Sequence, residues 1–172
     1  LVGSWKQLVG TVTAFTVAHS ITLAGATLGW VYAPQAPVEA TIALSVMFVA
    51  AEILRRAQGR RGVAARAPWL VAFVFGLLHG FGFSGALRAV GLPEQDIPLA
   101  LLFFNVGVEV GQLVFIAAVA LVLSAVTRLL RKPGHSERGP WHSEAMIRVP
   151  VAYAIGSVAA FWTVQRVVGF WA

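Results

Sequence analysis

Long apolar runs, separated by short polar or basic stretches, dominate the order of residues along the chain. Each run is close to the ~20 residues that an α-helix needs to cross a bilayer. The pattern therefore predicts an all-α, polytopic transmembrane helix bundle that forms a single membrane domain over residues 1–172. The five predicted spans cover residues 8–30, 38–54, 68–90, 97–127 and 149–171.

The lengths and the prolines refine this interpretation. The second run is short, which favours either a loosely placed boundary or a helix with little tilt. The fourth is longer than a bilayer needs, which favours a tilted or projecting helix. Prolines such as Pro34, Pro68 and Pro150 are expected in loops or at helix starts, where a missing N–H matters least.

The composition excludes soluble and disordered classes of protein. Hydrophobic residues make up 58% of the chain and charged residues 12%, about half of the quarter that is usual in globular domains. The mean hydropathy is +0.78. So few charges could not cover a water-exposed surface, and disordered chains are polar and charge-rich. The chain contains no Cys, which removes disulfides, thiolate metal ligands and Cys nucleophiles.

The basic residues indicate an orientation. The net charge of +6 would suggest nucleic acid in a soluble protein, but the basic residues are concentrated in two loops, so we expect no nucleic-acid partner. Lys and Arg favour the cytoplasmic side of membrane proteins. All thirteen except Arg88 and Arg166 fall on one side of a five-span topology. We therefore expect loops 55–67 and 128–148 to be cytoplasmic and the carboxyl end to be external.

Two histidines occupy the middle of predicted spans, where an ionisable group costs at least about 2.5–3.5 kcal/mol. His19 lies in the first span and shares a helix face with Thr16 and Ser20. A neutral histidine bonded to a neighbouring backbone or hydroxyl group is one interpretation. The other histidine is His79, in the third span.

Glycines surround this second histidine. Gly76 and Gly80 have the small-xxx-small spacing that lets another helix approach closely. Residues 80–85 also match G-x-G-x-x-G, but no strand precedes them and they lie at membrane depth. We therefore interpret this match as coincidental rather than as a dinucleotide site.

A carboxylate and two amides share one face of the fourth span. Asn105, Glu109 and Gln112 are spaced four and three residues apart. A carboxylate at this depth needs a cation or a hydrogen-bond donor, and a bond between helices is the structural interpretation. Gly107 and Gly111 are expected to permit close packing of a helix on an adjacent face.

Two further carboxylates lie nearer the ends of the second span. Glu39 lies at its start, where a negative charge suits the helix dipole. Glu52 lies near its other end and is expected to pair with Arg55 or Arg56. His19, His79 and Glu109 are therefore the three mid-depth groups. Two imidazoles and a carboxylate suit Ni, Co, Zn or Fe better than Mg or Ca.

At these residues the chain resembles the HupE/UreJ family of bacterial membrane proteins. The similar stretches are FTVAHSITLA at 15–24, VEATIALSV at 38–46, FGLLHGFGFSGAL at 75–87 and LALLFFNVGVEVGQL at 99–113. The resemblance implies an inner (cytoplasmic) membrane permease for nickel, cobalt or a related divalent metal, which supplies hydrogenase or urease maturation. It implies metal-pathway roles for His19, His79 and Glu109, and weaker candidacy for Asn105, Gln112 and Glu39. The metal is then a substrate, and no resident cofactor is expected.

One departure from the family pattern concerns an earlier helix. Members usually carry an Asp-His pair there, whereas the only Asp of this chain is Asp96. We expect the chain to be the C-terminal part of a longer one in which a preceding helix completes six spans.

Three classes of function remain open. The first is a metal permease, with the lipid bilayer, the metal and either a metallochaperone or a second copy as partners. The second is a non-transporting scaffold or accessory subunit for hydrogenase or urease maturation. The third, an intramembrane metal-dependent hydrolase, is disfavoured because H-E-x-x-H and G-x-S-x-G are absent. We therefore do not expect an enzyme.

Overall fold

All regular structure in the part of the chain that is described is helical. The computed structural model describes residues 4–60, 62–90, 94–130 and 140–171. Its helices are α1 Trp5–Thr27, α2 Gln35–Ala57, α3 Val63–Arg66, α4 Pro68–Val90, α5 Ile97–Leu130 and α6 Pro140–Val168, with a 3₁₀ turn at Glu94–Asp96. The predicted all-α class is confirmed.

Five of these helices contain a segment long and apolar enough to cross a membrane. The segments are Trp5–Thr27, Gln35–Ala57, Pro68–Gly85, Ile97–Val126 and Arg148–Val168. They confirm the five predicted spans, with ends that differ by a few residues. The second span is not short, because α2 continues for 23 residues through the polar groups at both of its ends. Pro150 lies inside α6 rather than at its start, so that expectation was wrong.

The short helix α3 is fastened to α2 by a buried carboxylate. Glu52 is 1% exposed, and its Oε2 accepts a hydrogen bond of 2.9 Å from the backbone N–H of Ala64. Its Oε1 accepts a bond of 3.2 Å from Arg55, which confirms the predicted pairing. A Cβ on Gly62 would overlap the carboxylate. Glu52 thus satisfies an N–H in the first turn of α3, where the helix has no partner of its own.

Helices α1 and α4 pack side by side and run parallel. The Cα of Gly76 lies so close to α1 that a Cβ there would meet the carbonyl oxygen of Phe15, and the Cβ of Ala18 at 2.9 Å. One turn further along both helices, a Cβ on Gly80 would meet the carbonyl oxygen of His19. The predicted close approach at Gly76 and Gly80 is confirmed, and α1 is the helix that makes it.

Helix α2 runs antiparallel to both of its long neighbours. Towards α4, Gln35 Nε2 donates to the carbonyl of Gly82 over 3.0 Å. Towards α6, the Cβ of Ala50 lies 3.1 Å from where a Cβ on Gly156 would stand. The bundle therefore has α1 and α2 on either side of α4, with α6 packed against α2.

Among the described residues, helix α5 packs mainly against α1, and its Phe104 ring also contacts Phe83 of α4 at a centroid distance of 5.8 Å. Nothing lies within 4 Å of where a Cβ on Gly107 or Gly111 would stand. The expectation that these glycines seat another helix is wrong within the described residues. The physical reason is that α5 turns its polar face towards α1, which leaves the glycines on an open side.

Candidate functional site

The interface between α1 and α4 brings His19 and His79 to the same level of the bundle. The ring of Phe15 contacts both imidazoles, with centroid distances of 6.0 Å to His19 and 5.2 Å to His79. The close approach at Gly80 sets this register, because it places the turn after His79 directly against the backbone of His19. Both histidines lie well inside their helices, as predicted.

His19 is buried without any hydrogen bond. It is 2% exposed, and neither Nδ1 nor Nε2 has a partner. Besides Phe15, the rings of Phe83 and Phe104 contact the imidazole at 5.6 and 6.2 Å. A buried polar group left unpaired costs about 1–3 kcal/mol, and such a group in a native fold calls for an explanation.

The neighbouring hydroxyl groups do not supply the missing partner. Thr16 Oγ1 donates to the carbonyl of Val12 over 3.2 Å, and Ser20 Oγ donates to the carbonyl of Thr16 over 2.6 Å. Both hydroxyls are thus directed to the backbone of their own helix. The interpretation of His19 as a histidine bonded to a neighbouring backbone or hydroxyl group is therefore wrong.

His79 has one ring nitrogen fixed by its own helix. Its Nδ1 lies 2.7 Å from the carbonyl oxygen of Phe75. Because a carbonyl only accepts, Nδ1 carries the hydrogen and Nε2 carries the lone pair. Metal-binding histidines are commonly held in this way, with one N–H on a carbonyl and the other nitrogen turned to the metal.

Glu109 faces α1, but not at the level of the histidines. Thr13 Oγ1 donates to Glu109 Oε1 over 2.8 Å. Thr13 precedes His19 by six residues on α1, which is about 9 Å along the helix axis. Among the described residues, no group of three or more His, Asp or Glu side chains could hold a metal ion together. The structure brings the two histidines together and leaves the carboxylate about two turns away.

The two amides flank Glu109 on the same face of α5. Asn105 Nδ2 donates to the carbonyl of Leu101 over 2.8 Å. The side-chain oxygens of Asn105 and Gln112, Oδ1 and Oε1, are both buried and have no partner. Because α5 runs antiparallel to α1, this face descends from the level of His19, which Phe104 contacts, towards the amino end of α1.

Glu39 faces α6 rather than the histidines. Its Oε2 lies 2.7 Å from Arg166 Nη1, and Gln35 Nε2 donates to its Oε1 over 3.4 Å. The carboxylate lies beyond the first turn of α2, so Arg166 rather than the helix dipole balances it. This ion pair also explains why Arg166 lies on the predicted external side, unlike most of the other basic residues.

A cavity of about 820 Å³ opens between α1, α2, α3, α4 and α6. His79 and Phe75 line the end nearer the middle of the bundle, and Arg56 and Arg148 line the other end. Most of the remaining wall is aliphatic.

Sequence patterns could not identify Thr13 or the three aromatic rings around His19. A threonine and phenylalanines are ordinary in an apolar helix, and only the packing of α1 against α4 and α5 gives them a role.

Comparison with known proteins gives a match to a family model. A family model described as "HupE / UreJ protein" matches residues 1–166. No curated protein and no solved structure matches the chain.

Proposed function

The chain belongs to the HupE/UreJ family, and on that premise we propose that it is a permease for a divalent transition metal, nickel or cobalt, with a binding step at His19 and His79. The family is one of transporters rather than enzymes and is implicated in nickel uptake for hydrogenase and urease. The observation that carries the proposal is the buried imidazole of His19, which has no partner for either nitrogen.

The two imidazoles have the chemistry of a borderline metal site. Nitrogen ligands suit Ni²⁺ and Co²⁺ better than Mg²⁺ or Ca²⁺. The carbonyl of Phe75 leaves Nε2 of His79 with its lone pair, and His19 lies on the neighbouring helix at the same level. Two neutral ligands replace only part of the cation's water shell, which keeps binding weak enough for the ion to leave.

The polar face of α5 offers the next steps of a pathway. The unpartnered oxygens of Asn105 and Gln112 are acceptors, and Glu109 between them supplies the negative charge that offsets desolvation of a cation. Thr13 holds Glu109 Oε1 and so orients the carboxylate. In the predicted topology this face leads from the histidines towards the cytoplasm, which is the direction of uptake.

The driving force would come from the membrane rather than from a nucleotide. A P-loop needs G-K-[ST], and neither Lys6 nor Lys132 is followed by Ser or Thr. A membrane potential contributes about 2.3 kcal/mol per elementary charge for each 100 mV, and thus about 4.6 kcal/mol for a divalent cation. That is enough to compensate for a weak mid-membrane site.

Glu39 would act at a different step of uptake from the histidines. Its carboxylate is paired with Arg166, so it would receive a cation only after that pair opens. We assign it to an early uptake step at the end of the bundle opposite the basic loops.

Uptake of radioactive Ni²⁺ into vesicles tests the proposal. His79→Ala and Glu109→Gln should each lower the uptake rate at least tenfold. His19→Phe should do the same while filling its aromatic surroundings, so the fold is kept. His135→Ala and His142→Ala, which lie between the fourth and fifth apolar spans, are controls that should transport at the parent rate.

Two outcomes would count against parts of this scheme. Parent-level uptake by the His79 and Glu109 variants, at matched protein amounts, would exclude these side chains from the pathway. No uptake by the parent would favour the scaffold or accessory role. Binding of Ni²⁺ in detergent, with Mg²⁺ as the control ion, separates loss of the site from loss of movement.

A further inference from the structure

We propose that the cavity between α1, α2, α3, α4 and α6 is a binding site for an anionic phospholipid. The headgroup phosphate would lie on Arg56 and Arg148, and an acyl chain would extend along the aliphatic wall towards Phe75. The headgroup end of this site lies away from the proposed metal pathway, which the cavity reaches only at its inner end, at His79. Binding of the lipid does not require transport.

The wall of the cavity has the chemistry of an acyl-chain site. Aliphatic side chains from three helices line it, including Val49, Ile53, Val71 and Ile155. The volume of about 820 Å³ lies near the upper end of the range of about 300–1,000 Å³ that is typical of ligand pockets. A small polar solute would leave most of this apolar surface without a partner, whereas a hydrocarbon chain covers it.

The charge at one end of the cavity selects a negative headgroup. Arg56 and Arg148 line this end. The nearest described carboxylate along the chain, Glu52, is already engaged by Arg55 and by the N–H of Ala64. It therefore does not neutralise Arg56. Basic pockets between transmembrane helices at the cytoplasmic surface are typical sites for anionic lipid headgroups.

The same charges argue against the transported metal as the occupant. The guanidinium group of Arg56 at the opening raises the local potential, which disfavours a divalent cation there. The positively charged opening also lies at the end where the basic residues of α2 and α3 predict the cytoplasmic surface. A lipid of that leaflet can reach the cavity sideways, between the helices.

Native mass spectrometry of the purified full chain tests the proposal. Phosphatidylglycerol, compared with phosphatidylcholine of the same acyl chains, should remain bound in preference. Arg56→Gln should weaken retention of phosphatidylglycerol about fivefold, as expected from about 1 kcal/mol per basic residue. Arg128→Gln removes the same charge on α5, away from the cavity, and should leave retention unchanged.

Two further experiments distinguish a bound lipid from a bound free anion and test whether the lipid lies in this cavity. Ala72→Leu, which adds bulk to the cavity wall, should lower phosphatidylglycerol binding without changing any charge.

Inorganic phosphate should give little thermal protection of the parent. If phosphate raised the thermal midpoint as much as phosphatidylglycerol does, and Arg56→Gln abolished that rise, the cavity would be a site for free anions. Equal retention of the two lipids, or equal effects of Arg56→Gln and Arg128→Gln, would also overturn the proposal. If Arg56→Gln fails to fold, Arg148→Gln provides the same comparison.

Discussion

His19 and Glu52 are both almost fully buried, yet their surroundings differ. Glu52 is 1% exposed and accepts hydrogen bonds from the backbone N–H of Ala64 and from the side chain of Arg55. His19 is 2% exposed and has no hydrogen bond at all. A buried group with a purely structural role finds its partners within the fold. The contrast is the reason to assign a ligand to the histidine and a structural role to the glutamate.

The hydroxyl of Thr13 is predicted to couple to Glu109. Thr13→Val keeps the shape of the side chain but removes the donor to Oε1, so thermal stability in detergent should fall. Coupling energies of such bonds in membrane proteins average about 0.6 kcal/mol and reach about 1.7 kcal/mol. A double-mutant cycle of Thr13→Val with Glu109→Met, which removes the accepting oxygen, measures this value.

Thr163→Val is the matched control for this cycle. The Thr163 hydroxyl donates to the carbonyl of Ala159 on its own helix, so Thr163→Val should show no coupling to Glu109→Met. Equal coupling for both threonines would contradict the bond between α1 and α5.

The sequence identified the candidate polar residues because they lie near the middle of apolar spans. It did not identify the residues with which they form hydrogen bonds. Thr13 and Glu109 are 96 positions apart, and helical periodicity relates only residues a few positions apart. The sequence therefore predicted that Glu109 needs a donor without identifying it. The pairing of Glu52 with Arg55 was predictable because both residues lie within one turn of the same helix.

At the scale of elements, one spacing motif has two different outcomes. Gly76 and Gly80 lie against α1, whereas Gly107 and Gly111 have open space beside them. Small residues four apart permit close approach but do not attract a helix by themselves. The five spans were predictable because hydropathy is a property of each segment alone. Which helices touch depends on side chains far apart in the chain.

These two pairs of glycines give a direct experimental contrast. Gly80→Ala should destabilise the bundle by about 1–3 kcal/mol, because its Cβ would overlap backbone and hydroxyl atoms of α1. Gly111→Ala meets nothing and should keep or slightly raise stability, since alanine favours a helix by about 1 kcal/mol over glycine. Thermal midpoints in detergent measure both effects, and equal midpoints would contradict the packing of α1 on α4.

For the whole molecule, the basic residues predict which side each end occupies. The described exception Arg166 has a carboxylate partner at 2.7 Å, so its position has a local reason and does not weaken the overall asymmetry. The predicted orientation places the opening lined by Arg56 and Arg148 at the cytoplasmic surface.

Reporter fusions test this orientation. A reporter that is active only outside the cytoplasm should be silent when fused after Arg60 and active when fused after Ala172. A cytoplasm-active reporter at the same two positions should give the opposite pattern and controls for expression. Activity of the first reporter at Arg60 with silence at Ala172 would reverse the topology and, with it, the assigned direction of uptake.

The parallel arrangement of α1 and α4 has a consequence for biosynthesis. Ribosomes add roughly 5–20 residues per second, so the 63 positions between Thr27 and Val90 take roughly 3–13 s to synthesise. Until then α1 must remain in the insertion machinery or the lipid without α4 to cover its imidazole. A nascent chain that stops after Gln58 is therefore expected to be degraded quickly by membrane proteases. Pulse-chase labelling should find it shorter-lived than a chain that extends through Val90, in which α1 can pack against α4.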